Sequence, residues 1–280
     1  EQGINQFGET GDTGGINGAR GDVGSYDIRS LGTGNTLVLI NGRRIVSGAS
    51  YQTEEIGGSF VPVESPNTQI LPLGLIDRVE ILRDGAAAQY GSDAIAGVIN
   101  IVLKDNVDEF TGSVSYGAYN TNAKGDFPDG TPNTDGNRLD TDRDGNALGD
   151  DQSFDGGSVK ITGNYGVAIG EEGYANFTTE YINKNKTLRP GYDFRRGFGE
   201  AAIEGFNLFG NLSFPVSDKT EVYAFGGRNY RDTDAYAFTR NGGARVVTEI
   251  YPNGFTPRIT SIITDNSYAV GVRTELGNDW

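Results

Sequence analysis

The feature that most restricts what this chain can become is a series of segments, spread from Phe110 to Leu276, in which apolar and polar residues alternate. Phe110, Gly112, Val114, Tyr116 and Ala118 alternate with Thr111, Ser113, Ser115 and Gly117. Val159, Ile161, Gly163, Tyr165 and Val167 alternate with Ser158, Lys160, Thr162 and Asn164, and Ala175, Phe177, Thr179 and Tyr181 with Asn176, Thr178 and Glu180. Leu208 to Phe214 repeats the pattern apart from Phe209, which is phased the other way, and Tyr268 to Leu276 repeats it again. Glu221 to Tyr230 reads as a further strand of ambiguous phase. A period of two sends alternate side chains to opposite faces of a sheet. The connections add a second regularity: 120–157, 183–205 and 231–262 are long, whereas 170–173 and 216–220 are short. A membrane barrel makes short turns at one rim and long loops at the other; a soluble sandwich has no reason to keep that alternation.

Composition closes most other routes. Charged residues make up 22% and hydrophobic residues 36%, and apolar runs such as Leu37 to Ile40 are strand-sized. None approaches the ~18 residues of a spanning helix, so closed strands are the remaining way across a bilayer. A net charge of −15 leaves no basic surplus to meet phosphates, which argues against nucleic acid as a partner. With neither Cys nor His, the chain offers no thiol nucleophile, no His-based triad and no His-ligated metal or haem. There is no Met, and Trp280 follows a turn-like Gly277-Asn278-Asp279, so both ends read as interior points of a longer chain.

Ahead of the alternating segments lies material of a different texture. Glu1 to Gly34 is rich in Gly, Asp and Asn and reads as loop. Thr36 to Ile40 reads as a buried strand closed by the turn signal Asn41-Gly42. Leu71 to Ile76 reads as a helical turn, Arg78 to Arg83 as a strand, Gly85 to Tyr90 as a second helical turn, and Gly97 to Lys104 as a second buried strand.

Three stretches here carry a family resemblance: IRSLG at 28–32, TLVLINGRR at 36–44, and LIDRVEILRDGAAAQYGSDAIAGVINIVLK at 75–104. Together they resemble the second half of the plug of TonB-dependent outer-membrane receptors, in which the last plug strand leads directly into the first barrel strand. The pieces FNLF at 206–209 and YPNGFTPRI at 251–259 extend the likeness into the barrel. The resemblance implies a mainly β fold: a small α/β plug domain over 1–106, then the first ~6 antiparallel strands of a large transmembrane β-barrel over 107–280. It also implies a protein of the Gram-negative outer membrane that takes up a scarce nutrient, by default an iron–siderophore complex, with energy delivered through TonB. The TonB-contacting segment of such receptors lies near the mature N-terminus and is expected outside this chain. Family plugs hold two arginines that pair with barrel-wall glutamates, and Arg29 and Arg83 stand at those positions as a releasable plug–barrel latch. Ser30 and Asp84 replace the glycine that often follows each, and the partner glutamates are expected beyond Trp280.

Other constellations have plainer readings beside them. Asp140, Asp142 and Asp144, with Gly145 and with Asp151 at the twelfth position, match the spacing of a calcium loop; the alternative is a solvated acidic loop. The polar stretch 52–67, including Gln52, Thr53, Glu54 and Glu55, reads as a ligand-facing plug loop. Gly85 to Gly91 lacks the Lys-Ser/Thr pair of a phosphate loop, and Glu171-Glu172 reads as a solvated turn. Asn176-Phe177-Thr178 and Asn211-Leu212-Ser213 match a glycosylation pattern but fall within strands. Arg228, Arg231, Arg240 and Arg245 read as ordinary loop-end charges with some capacity for an anionic ligand. No cofactor is expected beyond calcium at 140–151, and no enzyme, for want of a nucleophile–base pair. The partners expected are TonB, outer-membrane lipid and a small nutrient. A passive porin and a surface calcium-binding adhesin are the competing functions; a porin needs no plug, and an adhesin has no reason for the loop alternation.

Overall fold

The computed structural model describes residues 4–7, 23–29, 31–45, 52–56, 59–63, 65–83, 85–120, 154–187, 199–237, 240, 246–251, 255 and 257–275. Two sheets dominate. The first contains β3 (Thr36–Ile40), β4 (Arg43–Arg44), β7 (Ile76–Leu82) and β8 (Gly97–Leu103) in the order β4-β3-β8-β7. Its two central strands run parallel, from Thr36 beside Gly97 to Ile40 beside Ile101. A central parallel pair is covered on both faces, which is why TLVLI and GVINIVL are nearly continuous apolar runs. One face buries Val38, Ile40, Ile99, Ile101 and Leu103 with Ile28, Leu71 and Leu75. The other buries Leu37, Leu39 and Val98 with Ala94 from the turn that follows the one-turn helix α1 (Ala86–Tyr90). Asn41 and Gly42 both take positive φ, 47° and 75°, as a tight Asn-Gly hairpin between β3 and β4 requires.

Two regions differ from the sequence expectation. Within the expected loop 1–34, β1 (Ile4–Phe7) pairs antiparallel with β2 (Ser25–Ile28). Both strands are only four residues long and sit among Gly, Asp and Asn, so no period emerges; burial of Ile28 in the sheet core is what holds β2. The expected loop at 52–67 instead contains a hairpin of β5 (Gln52–Ile56) and β6 (Ser59–Val63), with Ile56 opposite Ser59. Polar residues on β5 and Pro62 on β6 hide it from a composition reading.

The second sheet has six antiparallel strands in chain order: β9 (Phe110–Asn120), β10 (Phe154–Ile169), β11 (Gly173–Lys184), β12 (Ala202–Ser217), β13 (Thr220–Tyr236) and β14 (Arg258–Thr274). β10–β11 and β12–β13 close through turns of three and two residues, at 170–172 and 218–219, while the other connections are long. Outward residues are open: Val114 is 75% exposed, Phe177 47% and Val270 77%. Their inward neighbours Asn164, Asn176 and Thr178 are buried. The ambiguous phase of β13 resolves with Phe225, Asn229, Arg231 and Thr233 inward. It was unreadable because its inward face carries aromatics that meet the first sheet.

Those aromatics join the two sheets. Phe209 and Phe225 enter the same apolar cluster as Val38, Ile99 and Leu75, with Tyr223 and Ala269 packed against it. Gly227 leaves the space that the Phe209 ring fills: a Cβ there would stand 2.6 Å from that ring.

Candidate functional site

The surface where the small mixed sheet meets the inner wall is the best-defined candidate site. Each of β10 to β13 turns Asn inward: Asn164, Asn176, Asn207, Asn211 and Asn229 are all buried. An amide carries both donors and acceptors, so it can satisfy two partners without the desolvation cost of a charge. Asn211 uses this fully. Its Oδ1 accepts from Asn41 Nδ2 at 3.2 Å, while its Nδ2 donates to the Lys104 carbonyl at 2.9 Å. Asn41 Oδ1 in turn accepts from Leu103 N at 3.0 Å. The turn of the mixed sheet, the end of its last strand and the wall are thus fastened by three neutral bonds.

A second fastening holds the linker after β8. Asn176 Nδ2 donates to the Asn106 carbonyl at 2.9 Å and to its Oδ1 at 3.1 Å, and Asn164 Nδ2 donates to Asn176 Oδ1 and Thr178 Oγ1. Asp108 N, donating to Gly166 O at 2.9 Å, leads the chain into β9. Near the short-turn rim, Arg43 lies 5.4 Å over the Tyr223 ring, Arg273 lies 5.6 Å from it, and Arg273 pairs with Glu221. On the wall's inner face Lys160 Nζ sits 3.0 Å from Glu180 Oε2, and Asn207 also donates to Glu180.

At the other rim, the ends of β11 to β14 bury a charge cluster. Lys186 Nζ lies 2.6 Å from Asp234 Oδ1 and 4.5 Å from the Tyr236 ring centre, and Arg258 pairs with the same carboxylate. A cleft lined by Asp232, Asp234, Arg258, Thr260, Ser261 and Ile262 opens beside it. Away from the wall, two exposed carboxylates sit below the usual carboxylate range. Glu80 is held there by hydrogen bonds from Asn100 and then Arg78, and Asp93 by hydrogen bonds from Arg44 and then Ser92.

Of the residues named from sequence, Arg29 and Arg83 fall at neighbouring turns. Arg29 is half-buried with φ 63°, and Arg83 is exposed at the end of β7. Gly97 brings the turns together: at φ 147°, a Cβ on it would lie 2.7 Å from Leu82 O, 3.0 Å from Ile28 Cδ1 and 3.7 Å from Arg83 Cα. Gln52, Thr53, Glu54 and Glu55 lie on β5, with side chains outside the described residues. Ser30, Asp84 and the acidic run with Asp140, Asp142, Asp144 and Asp151 also lie outside them. The inward asparagines were missed. The alternation puts Asn164 and Asn176 on the polar phase of the wall, and Asn176 and Asn211 also fit a glycosylation pattern, but neither reading makes them contacts of the mixed sheet; an Asn on the polar phase of strand after strand is the usable signal.

A small mixed sheet docked against the polar inner face of an outward-apolar, unclosed wall defines a plug-and-barrel membrane protein. Residues 3–98 match the family model of the TonB-dependent Receptor Plug Domain. The ferrienterobactin receptor of Escherichia coli is 38% identical over 96 residues, 34% of this chain and 12% of that protein. The vitamin B12 transporter BtuB of Vibrio vulnificus is 27% identical over 241 residues, 84% of this chain and 33% of that protein. The crystal structure of a ferric enterobactin receptor mutant from Pseudomonas aeruginosa, in complex with enterobactin, superposes with a TM-score of 0.58 at 18% identity, over 99% of this chain and 35% of that one. The chain thus carries a TonB-dependent receptor plug domain at 3–98, followed by strands that share the fold of the solved receptors. It spans about an eighth of the first curated relatives' length and about a third of the solved ones. No helix among the described residues is long and apolar enough to cross a membrane.

Proposed function

We propose that the protein containing this chain imports a scarce nutrient across the outer membrane, with residues 1–106 as the plug and 107–280 as part of the barrel wall. The observation that carries the reading is the docking: the lumen side of the wall is occupied by a folded domain held through neutral amide bonds and through the inward Phe209 and Phe225 rings. Each such bond contributes only about 0.5–1.5 kcal/mol net, so the plug is stable at rest yet removable by a pull. Open edges at β9 and β14 support further strands completing the barrel. TonB is the proposed source of the pull. Arg29 and Arg83 are proposed as the plug half of a charged latch, and β5 as a ligand-facing edge. Asp140, Asp142, Asp144 and Asp151 are proposed as a calcium-binding loop.

For cargo, an iron–siderophore complex is the first proposal, since relatives 37–38% identical over the plug are named as enterobactin and siderophore receptors. A cobalamin-type ligand is the second, because the relative named for vitamin B12 aligns with 84% of the chain. That these relatives are receptors and transporters supports transport over catalysis. The test is uptake of radiolabelled ferric enterobactin and of radiolabelled cobalamin by cells that lack their own receptors and express the full-length protein, with and without TonB. Accumulation of either that requires TonB is the expected result; accumulation of both without TonB would make the protein a passive pore.

A further inference from the structure

We infer that Arg228 on the outward face of β13 holds a phosphate of the outer-leaflet glycolipid. The inference rests on the reading that the chain lies in the outer membrane with its long connections outside. Arg228 is exposed, and its cross-strand neighbours are Leu208 on β12, itself 49% exposed, and Asn266 on β14. Adjacent Asn229 is buried on the opposite face, which fixes Arg228 on the row that continues downward through Ala224 and Val222. It makes no hydrogen bond, ion pair or ring contact with any described residue. The carboxylates on this face, Glu204 and Asp232, stand four residues further up their strands and have interactions of their own.

Height decides the partner. Arg228 is eight residues above Thr220 at the short-turn rim. At about 3.3 Å per residue and a tilt near 40°, that is about 20 Å up an apolar band about 25 Å tall. The guanidinium therefore starts inside the upper part of the band, and its stem reaches the headgroup level. A cation there is unfavourable unless an anion meets it, and the anion on offer from the surrounding outer leaflet is a glycolipid phosphate. Arg presents a fork that fits phosphate oxygens, Asn266 adds a neutral amide beside it, and Leu208 and Phe206 offer apolar surface to acyl chains.

The test uses the full-length receptor in a phosphate-free maltoside detergent, titrated with bisphosphorylated lipid A, dephosphorylated lipid A or phosphatidylglycerol and read by native mass spectrometry. Binding of bisphosphorylated lipid A should fall about tenfold in Arg228→Gln and stay within about threefold in Arg228→Lys, while dephosphorylated lipid A should not distinguish them. An equal loss of phosphatidylglycerol would overturn the assignment to glycolipid in favour of any phosphate. A second readout does not depend on affinity. Arg228→Leu should raise the thermal midpoint in maltoside alone, and that gain should vanish or reverse when lipid A is added. Unchanged lipid A binding in Arg228→Gln would overturn the inference, whatever the uptake. Failure of TonB-dependent uptake with the lipid A effect intact would remove the proposed function and leave this contact standing.

Discussion

The mixed plug sheet and the barrel wall bury opposite things. The plug hides apolar side chains on both faces of β3 and β8, and Leu75, Val38 and Ile99 are at most 2% exposed. The wall displays its apolar side chains to lipid and hides Asn164, Asn176, Thr178 and Asn207. A plug in water folds by removing hydrocarbon from solvent. A wall in lipid gains nothing that way, and its strands are held by backbone ladders and by the partners its polar face finds. The contrast fails at one place: Phe209 and Phe225 point inward and finish the plug's core.

That exception supplies the largest test. Phe209→Ala should destabilise the plug by about 3–4 kcal/mol, the range for a buried Phe, while the barrel stays assembled. Denaturant unfolding of the full-length receptor, followed by plug amide exchange and by heat-modifiable mobility of the barrel, separates the two. A barrel that loosens together with the plug would sink the idea that Phe209 belongs energetically to the plug. Next in size is the mirror experiment. Phe177 faces outward, 47% exposed, so Phe177→Arg should cost the barrel about 2–4 kcal/mol if it lies near the bilayer midplane and leave plug exchange alone.

These two regions were also unequally legible. The plug's strands are local and apolar, so TLVLI, its Asn-Gly turn and the strand ending at Leu103 could be read directly. The wall's period of two gave its strands and the rims of their turns. What stayed hidden needed a partner distant in sequence. Asn41 and Asn211 are 170 residues apart, and neither betrays the other. The phase of β13 was obscured because Tyr223 and Phe225 answer to the plug and not to lipid. β1 and β2 are too short, and β5 too polar, to show a period before pairing. Arg29 and Arg83 could be placed only by likeness to a family, and the fold adds that Gly97 brings their turns together.

A smaller effect is expected where the two regions touch. Asn211→Ala leaves Asn41 Nδ2 and the Lys104 carbonyl without a partner and should cost about 1–3 kcal/mol. Asn211→Asp keeps the acceptor for Asn41 but faces the Lys104 carbonyl with a second acceptor, so it should recover only part of the loss. Amide exchange at Leu103 and Lys104 is the readout. Equal exchange in wild type and Asn211→Ala would mean that the wall is a passive container.

The smallest effect belongs to the plug alone and has no counterpart on the wall's lipid-facing surface. Glu80 and Asp93 are exposed, yet their carboxyls are held below the ordinary range by hydrogen bonds from Asn100 and Arg78 and from Arg44 and Ser92. A carboxylate whose folded pKa is depressed contributes stability above its unfolded pKa, about 4, and that contribution is lost as pH falls through the lower folded value. Plug stability should therefore drop slightly below pH about 4, with Glu80→Gln and Asp93→Asn each removing part of the slope while changing little at neutral pH. Because both groups face water, salt should weaken the effect. The measurement is the plug's urea midpoint between pH about 3 and 6 at low and high ionic strength. An acid slope that survives both substitutions would assign it to other carboxylates.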